Sequence, residues 1–179
     1  MPHVITVLAP GFEETEAVTP IDLLRRAKID VTILGLESLQ VRGSHNIAIA
    51  ADKLFSAFTG PFDAIMLPGG MPGSKNLAAS PALLDLVRET HRRKALCAAI
   101  CAAPMVLGKA GILRGFQATC YPGNENDLTG AIILEKPVVR DRNVITSRGA
   151  GTAIPFALEI ITYLTDAKTA EQVKSAILF

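Results

Sequence analysis

Residues 95–110, ALCAAICAAPMVLGKA, set one thiol at the junction between a strand and a helix. The stretch 95–100 is small and apolar, as a strand buried on both faces requires. Residues 103–110 read as a helix, with Pro104 tolerated in the first turn, where no intrahelical N–H bond is lost. Cys101 falls between them, above the sheet and near a helix N-terminus, where free N–H groups and the helix dipole favour a thiolate. A second reading stands beside that one. Cys101 is simply a small buried residue, the commonest fate of a free cysteine.

Working outward, further apolar runs at 4–9, 31–34, 63–67 and 144–146 read as strands, separated by helical patterns at 13–28, 75–92, 103–110 and 151–165. Apolar strands alternating with helices imply a parallel sheet covered on both faces. Residues 136–140 and 143–146 flank Asp141-Arg142 and read as a hairpin with Val138 and Val139 in its first arm. Residues 44–51 are expected to pair with a short strand around 39–41, and a last helix at 168–177 to pack through Val173, Ile177 and Leu178. The fold class is therefore α/β, a flavodoxin-like, doubly wound and mostly parallel sheet with helices on both faces. The whole of residues 1–179 reads as one domain.

Composition excludes several functions. Charged residues make up 20% of the chain, hydrophobic residues 49%, and the net charge is +1, so no specific nucleic-acid binding or anionic membrane contact is expected. The longest basic run, Arg92-Arg93-Lys94, reads as a solvated helix end. Three cysteines without paired spacing argue against a secreted disulfide framework. No signal peptide pattern and no membrane-length apolar run is seen, so a cytoplasmic location is the expectation. No loop matches a dinucleotide fingerprint or a P-loop, and no metal-ligand spacing appears. Neither a cofactor nor a metal is expected.

Open α/β sheets bind ligands at the carboxyl ends of their strands, where connections diverge. The unusual residues lie there. Gly11-Phe12-Glu13-Glu14 follows the first strand, Pro68-Gly69-Gly70-Met71-Pro72-Gly73 the third, Cys101 the next, and Ser147-Arg148-Gly149-Ala150-Gly151-Thr152 the last. Cys101 sits as a nucleophile elbow would, with alanines where glycines usually flank. Glu16 shares a helical face with Pro20, Leu23 and Ala27, which sets a carboxylate on the inward stripe. Burial there raises a carboxyl pKa, and a protonated carboxyl donates a hydrogen bond to a thiolate. Pro20 is expected to open the helix locally. Glu13 and Glu14, acids of a first turn, are expected to be solvated and to complement the dipole. Glu16 is open to that same dipole role.

Gly69 and Gly70 would let a backbone approach a ligand and present N–H groups as an oxyanion site; an ordinary Pro-Gly turn is the alternative. Thr152 reads as a helix cap, and Arg148 as an ion-pair partner or a substrate contact. Cys97, inside a strand, reads as core, and Cys120 as a secondary thiol near a strand end. His3 and His91 read as surface residues. Only His45, in a loop, is placed to reach the crevice, and no histidine follows Cys101. A conventional Cys–His pair with a later histidine is therefore absent.

Taken together, residues 11–16 (GFEETE), 67–70 (LPGG), 98–104 (AAICAAP) and 146–152 (TSRGAGT) resemble the DJ-1/ThiJ/PfpI family nearly end to end, in order and spacing, most closely its DJ-1 branch. The resemblance implies a flavodoxin-like homodimer with Cys101 as the reactive cysteine and Glu16 as its protonated partner. Gly70 and Ala102 would supply backbone N–H groups near the sulfur. Activities implied are oxidative-stress protection, redox-regulated chaperoning, glyoxalase action, and repair of methylglyoxal-glycated proteins or nucleotides. This chain departs from relatives with a histidine before the later proline, having Tyr121-Pro122 there, and lacks the Cys-His dipeptide of the protease-like branch, having Ala102 after Cys101. Tyr121, His45 and Arg148 are the expected lining of a site for small dicarbonyls or their adducts. On the helix at 13–28, Val18, Ile21 and Leu24 widen the apolar arc, which is consistent with self-association or with a wider contact inside the monomer.

Overall fold

Alternating inward side chains on two sheet faces explain the architecture, which a computed structural model describes over residues 1–179. In chain order the first half runs β1 (His3–Leu8), α1 (Glu14–Arg26), β2 (Asp30–Gly35), β3 (Gln40–Arg42), β4 (Ala48–Ala50), β5 (Lys53–Leu54) and β6 (Ala64–Leu67). Then come α2 (Gly73–Ala78), α3 (Pro81–Arg92), β7 (Leu96–Ile100), α4 (Pro104–Ala110) and β8 (Gln117–Ala118). The chain closes with β9 (Ile132–Ile133), β10 (Val138–Asp141), β11 (Val144–Ser147), α5 (Ala153–Leu164) and α6 (Ala167–Ala176).

Seven strands make one sheet in the order β10-β11-β7-β6-β1-β2-β5. Its pairings are parallel except for β10 with β11, whose antiparallel register sets Val139 opposite Thr146. Val4, Leu8, Met66, Ala98 and Ile100 face one layer, shared with α1, α5 and α6. Ile5, Val7, Leu67, Cys97 and Ala99 face the other, shared with α3 and α4. This period of two is what a doubly covered strand requires. Full burial of one aliphatic side chain contributes about 1.5–3 kcal/mol, so stability resides in these layers. The β3–β4 ribbon, with Val41 as its single buried ladder residue, contributes little of it.

The sheet order reverses at β1. From there the chain winds outward through β2 on one side and through β6, β7 and β11 on the other. The loops leaving β1 and β6 diverge at that point, and the Glu13 N–H donates to the Gly69 carbonyl across them at 2.9 Å. This is where an open α/β sheet forms its crevice.

Several expectations are corrected. The helical stretch at 75–92 is two helices, because Ser80 caps α3 by accepting from the Leu83 N–H and Pro81 occupies its first turn. α1 runs unbroken through Pro20. Leu178 does not pack at the edge: it is 95% exposed, while Val173 is buried and Ile177 lies against the core. Thr152 does not cap α5; its hydroxyl closes the tight turn before it, accepting from the Gly149 N–H at 3.1 Å. His91 is half-buried, edge-on to Phe116 and hydrogen-bonded to Asn143. Ile21 and Leu24 are buried within the monomer, leaving Val18 as the exposed member of that arc. The hairpin at 136–146 and the short pairing near 40–50 are present.

Candidate active site

Cys101 leaves β7 in the left-handed region, at φ 63°, a conformation that costs a non-glycine residue of order 1–3 kcal/mol. Hydrogen bonds on both sides hold it there. Its N–H donates to the Ser147 carbonyl at 2.9 Å, and its carbonyl accepts from the Tyr121 N–H at 2.9 Å. The turn lifts the side chain off the strand line, so that Cys101 is partly exposed although every residue of β7 is buried.

Glu16 meets it from the other side. The helical stripe read from the sequence carries Glu16 inward, where it is 1% exposed. Glu13 caps α1, its Oε2 accepting from the Glu16 N–H at 2.7 Å. The Glu16 Oε2 in turn accepts from the Gly69 N–H at 2.9 Å. A Cβ at Gly69 would stand 2.5 Å from Glu16 Oε2 and 2.7 Å from Cys101 Cβ. Only glycine fits between the two. Gly70, at φ +90°, and Ala102 turn their N–H groups onto the sulfur, and Glu16 shares a hydrogen bond with it.

The electrostatics differ from a thiol ionised by a helix dipole alone. Burial pushes the Glu16 carboxyl up to about 7, opposed by its hydrogen bond to Cys101, while the charge of Glu13 pushes it further up. Burial and then the neighbouring Glu16 raise the Cys101 thiol to about 12, against the N–H groups of Ala102 and Gly70. Both shifts run upward, and the hydrogen bond between the two groups couples their titrations. A perturbed, hydrogen-bonded pair of titratable groups in a crevice marks a candidate site of chemistry.

The remaining residues scatter. Tyr121 stands at the rim, 53% exposed, with its ring beside Gly149. Arg148 lies near Cys120 and acts on that thiol, which burial first and then Glu125 raise to about 11. His45 sits at the tip of the β3–β4 ribbon with its Nδ1 3.0 Å from Glu14 Oε2 and 3.8 Å from Glu13 Oε1. Cys97 is fully buried, its sulfur against the Val87 carbonyl.

Glu14 is the residue that sequence reasoning missed. It is 6% exposed and accepts from the His45 N–H at 2.7 Å, the Ile47 N–H at 3.3 Å and the Ser44 hydroxyl at 3.4 Å. Burial works to raise its pKa, but these bonds, with that of the His45 ring first among them, bring it below the usual carboxylate range. Gly43, whose Cβ would collide with this carboxylate, was the one available signal. Glu13, Glu14 and His45 bring donor atoms within 4.8 Å of one another, the one grouping of metal-ligating types, but Glu14 is already committed to backbone donors. Clefts of about 700 and 630 Å³ open at the amino ends of the strands, around His3, Lys28, Asp63 and Lys94, far from Cys101. The convergence of polar groups marks this site, not its volume.

A doubly wound sheet with a cysteine and a buried acid at its switch point places the chain in a definite class. The family model described as "DJ-1/PfpI family" matches residues 2–163, and the chain belongs to that family. The Danio rerio "Parkinson disease protein 7 homolog" is 40% identical, over 97% of this chain and 95% of that protein. The crystal structure of Drosophila melanogaster DJ-1beta superposes with a TM-score of 0.95 at 39% identity, covering 99% of this chain and 97% of that one. The Toxoplasma gondii structure described as "DJ-1, oxidized" gives 0.96 at 35% identity, covering 100% and 99%. No helix is long and apolar enough to cross a membrane.

Proposed function

We propose that the protein is a cysteine-dependent stress-protection enzyme acting on methylglyoxal, glyoxal or early glycation adducts of proteins or nucleotides. The observation that carries this reading is the buried Glu16 carboxyl hydrogen-bonded to the Cys101 sulfur, beside two backbone donors on that sulfur. Those N–H groups favour the negative charge on sulfur. The Gly69 N–H occupies one Glu16 oxygen and leaves the proton to bridge toward the thiolate. The thiolate attacks an aldehyde carbon, forming a C–S bond, and the carbonyl oxygen takes the proton from Glu16. Sulfur loses its charge in that step, which frees the Gly70 and Ala102 N–H groups for the developing oxyanion. Glu16, now ionised, takes the proton from the sulfur-bearing carbon and returns it to the adjacent carbonyl carbon, while the hydroxyl proton passes to that carbon's oxygen, which leaves a 2-hydroxy thioester. Water then hydrolyses the thioester to a hydroxy acid such as lactate and returns the thiol; when the substrate is a carbinolamine adduct, sulfur first displaces the amine at the carbinol carbon, and the amine leaves with the Glu16 proton.

The test compares wild type, Cys101→Ala and Glu16→Gln for methylglyoxal consumption, hydroxy-acid release and intact mass, with adduct release measured after free dicarbonyl is removed. Catalytic release of hydroxy acid by wild type alone supports the reading. Stoichiometric trapping on the thiol sinks it.

A second reading, a redox-sensing stress chaperone, draws on the partly exposed sulfur and on the oxidised state named for the Toxoplasma relative. Peroxide would then add two oxygens at Cys101, giving a sulfinate that accepts from the same donors. Identical holdase activity of oxidised and reduced protein would dismiss it. We further propose a cytoplasmic homodimer assembled through α1; the assembly is supported by Val18, half exposed beside a groove reaching Ile154 and Ile177. A Val18→Glu variant that stays at the wild-type mass in light scattering would refute that assembly.

A further inference from the structure

The Glu14 carboxylate is buried and fully engaged, yet nothing in the proposed chemistry uses it. It fastens the tip of the β3–β4 ribbon to the first turn of α1. The clasp is reinforced by the Ser44 N–H donating to the Phe12 carbonyl at 2.8 Å and the Gly11 N–H to the Arg42 carbonyl at 2.9 Å. Gly43 leaves room for the carboxylate, and Asn46, at φ 70°, turns the ribbon back. The effect is to present one imidazole to two acids. His45 Nδ1 stands 3.0 Å from Glu14 Oε2 and 3.8 Å from Glu13 Oε1. Glu13 is the same residue whose other oxygen holds the Glu16 N–H.

We infer that His45, fixed by Glu14, is a charge-tuning residue for the Glu16–Cys101 pair, acting through Glu13. This rests on the reading of Glu16 and Cys101 as a working pair. A carboxylate at Glu13 opposes ionisation of its neighbour, and a positive charge at position 45 cancels part of that field. The pair then gives up its first proton more readily, and the sulfur reacts at lower pH. The groups facing the imidazole are Glu13 and Glu14 from α1 and its cap, and Ser44 from the ribbon, whose hydroxyl lies 3.2 Å away. Arg42, on the same ribbon, is turned to Asn46. Glu13 and Cys101 are the titratable groups facing Glu16. His45 is largely exposed, so solvent screens the effect to a modest size.

The test is the pH midpoint of Cys101 alkylation by iodoacetamide, which needs no turnover. His45→Arg supplies a permanent charge and His45→Gln none. The expected result is faster alkylation of the Arg variant than of the Gln variant on the acidic limb, by about threefold, which corresponds to half a pH unit of midpoint. In a Glu14→Gln background, with the clasp loosened, that difference should vanish, and hydrogen exchange at residues 43–47 should report the loosening. Equal midpoints for the two His45 variants, or a difference that persists unchanged without Glu14, would overturn the inference. Glu16→Gln separates the two levels. If it leaves the midpoint unmoved, the Glu16–Cys101 pair itself is wrong; if it moves the midpoint while His45 does not, only the tuning role falls.

Discussion

Cys97 and Cys101 sit four residues apart on one strand and its exit, and they share a burial-raised thiol of about 12. Their surroundings have nothing else in common. Cys97 lies mid-strand, and its neighbours are aliphatic side chains and the Val87 carbonyl. Cys101 lies one residue past the strand, in a left-handed turn, with two N–H groups and a carboxyl around its sulfur. A thiol whose one hydrogen-bond partner is a carbonyl acceptor is raised because no donor receives its anion. A thiol beside an acid and two N–H groups has donors in place for its anion. The difference teaches that the causes of a shift, more than its size, separate a packing cysteine from a reactive one.

The comparison breaks most sharply if Cys101→Ala retains activity. Loss of at least about 100-fold in hydroxy-acid release is expected, the scale for removing a covalent nucleophile, whereas Cys97→Ala should keep near-wild-type rates. Steady-state kinetics on the two variants decides it.

Gly69→Ala should follow in size. Its Cβ would stand 2.5 Å from Glu16 Oε2 and 2.7 Å from Cys101 Cβ, so one of the partners must leave. A loss of about 1–3 kcal/mol is expected from the forced contact, together with slower Cys101 alkylation. Urea unfolding and thiol labelling measure both, and an unchanged alkylation profile would contradict the geometry.

Glu16 sharpens the contrast through pH. Its carboxyl is raised in the fold from 4.5 to about 7, so the native state binds the extra proton. The stabilisation is fully present below the lower value and is lost as pH rises through the upper one. On that interval it amounts to roughly 3 kcal/mol, as an order of magnitude. Glu16→Gln, neutral throughout, should flatten that fall and unfold at higher denaturant than wild type at pH 8. A parallel pH dependence of the two midpoints would refute it. The smallest effect belongs to Cys97→Ala, expected to cost about 1 kcal/mol for the lost packing while Cys101 titrates as before.

The central strands, the crevice at the strand ends and the inward stripe of Glu16 were legible in the sequence, because they follow from periods of 2 and 3.6 and from punctuation by proline and glycine. The break at Ser80-Pro81 carries the signal of a cap followed by a first-turn proline, but the continuous helical pattern around it hid that signal. Glu14 was not legible. Acids in a first turn are usually solvated, and the donors that bury this one come from residues 44–47, some thirty positions away.

Local rules thus determined which segments form strands and helices, which faces turn inward, and that one thiol leaves the sheet at a helix entrance. Family membership was likewise carried by short motifs in order. Only the tertiary structure decided that Gly69 stands between Glu16 and Cys101, that His45 meets Glu13 and Glu14, and that Glu16 reaches the sulfur. Those outcomes depend on distances between residues remote in the chain, and on how much water their packing leaves, which no local pattern encodes.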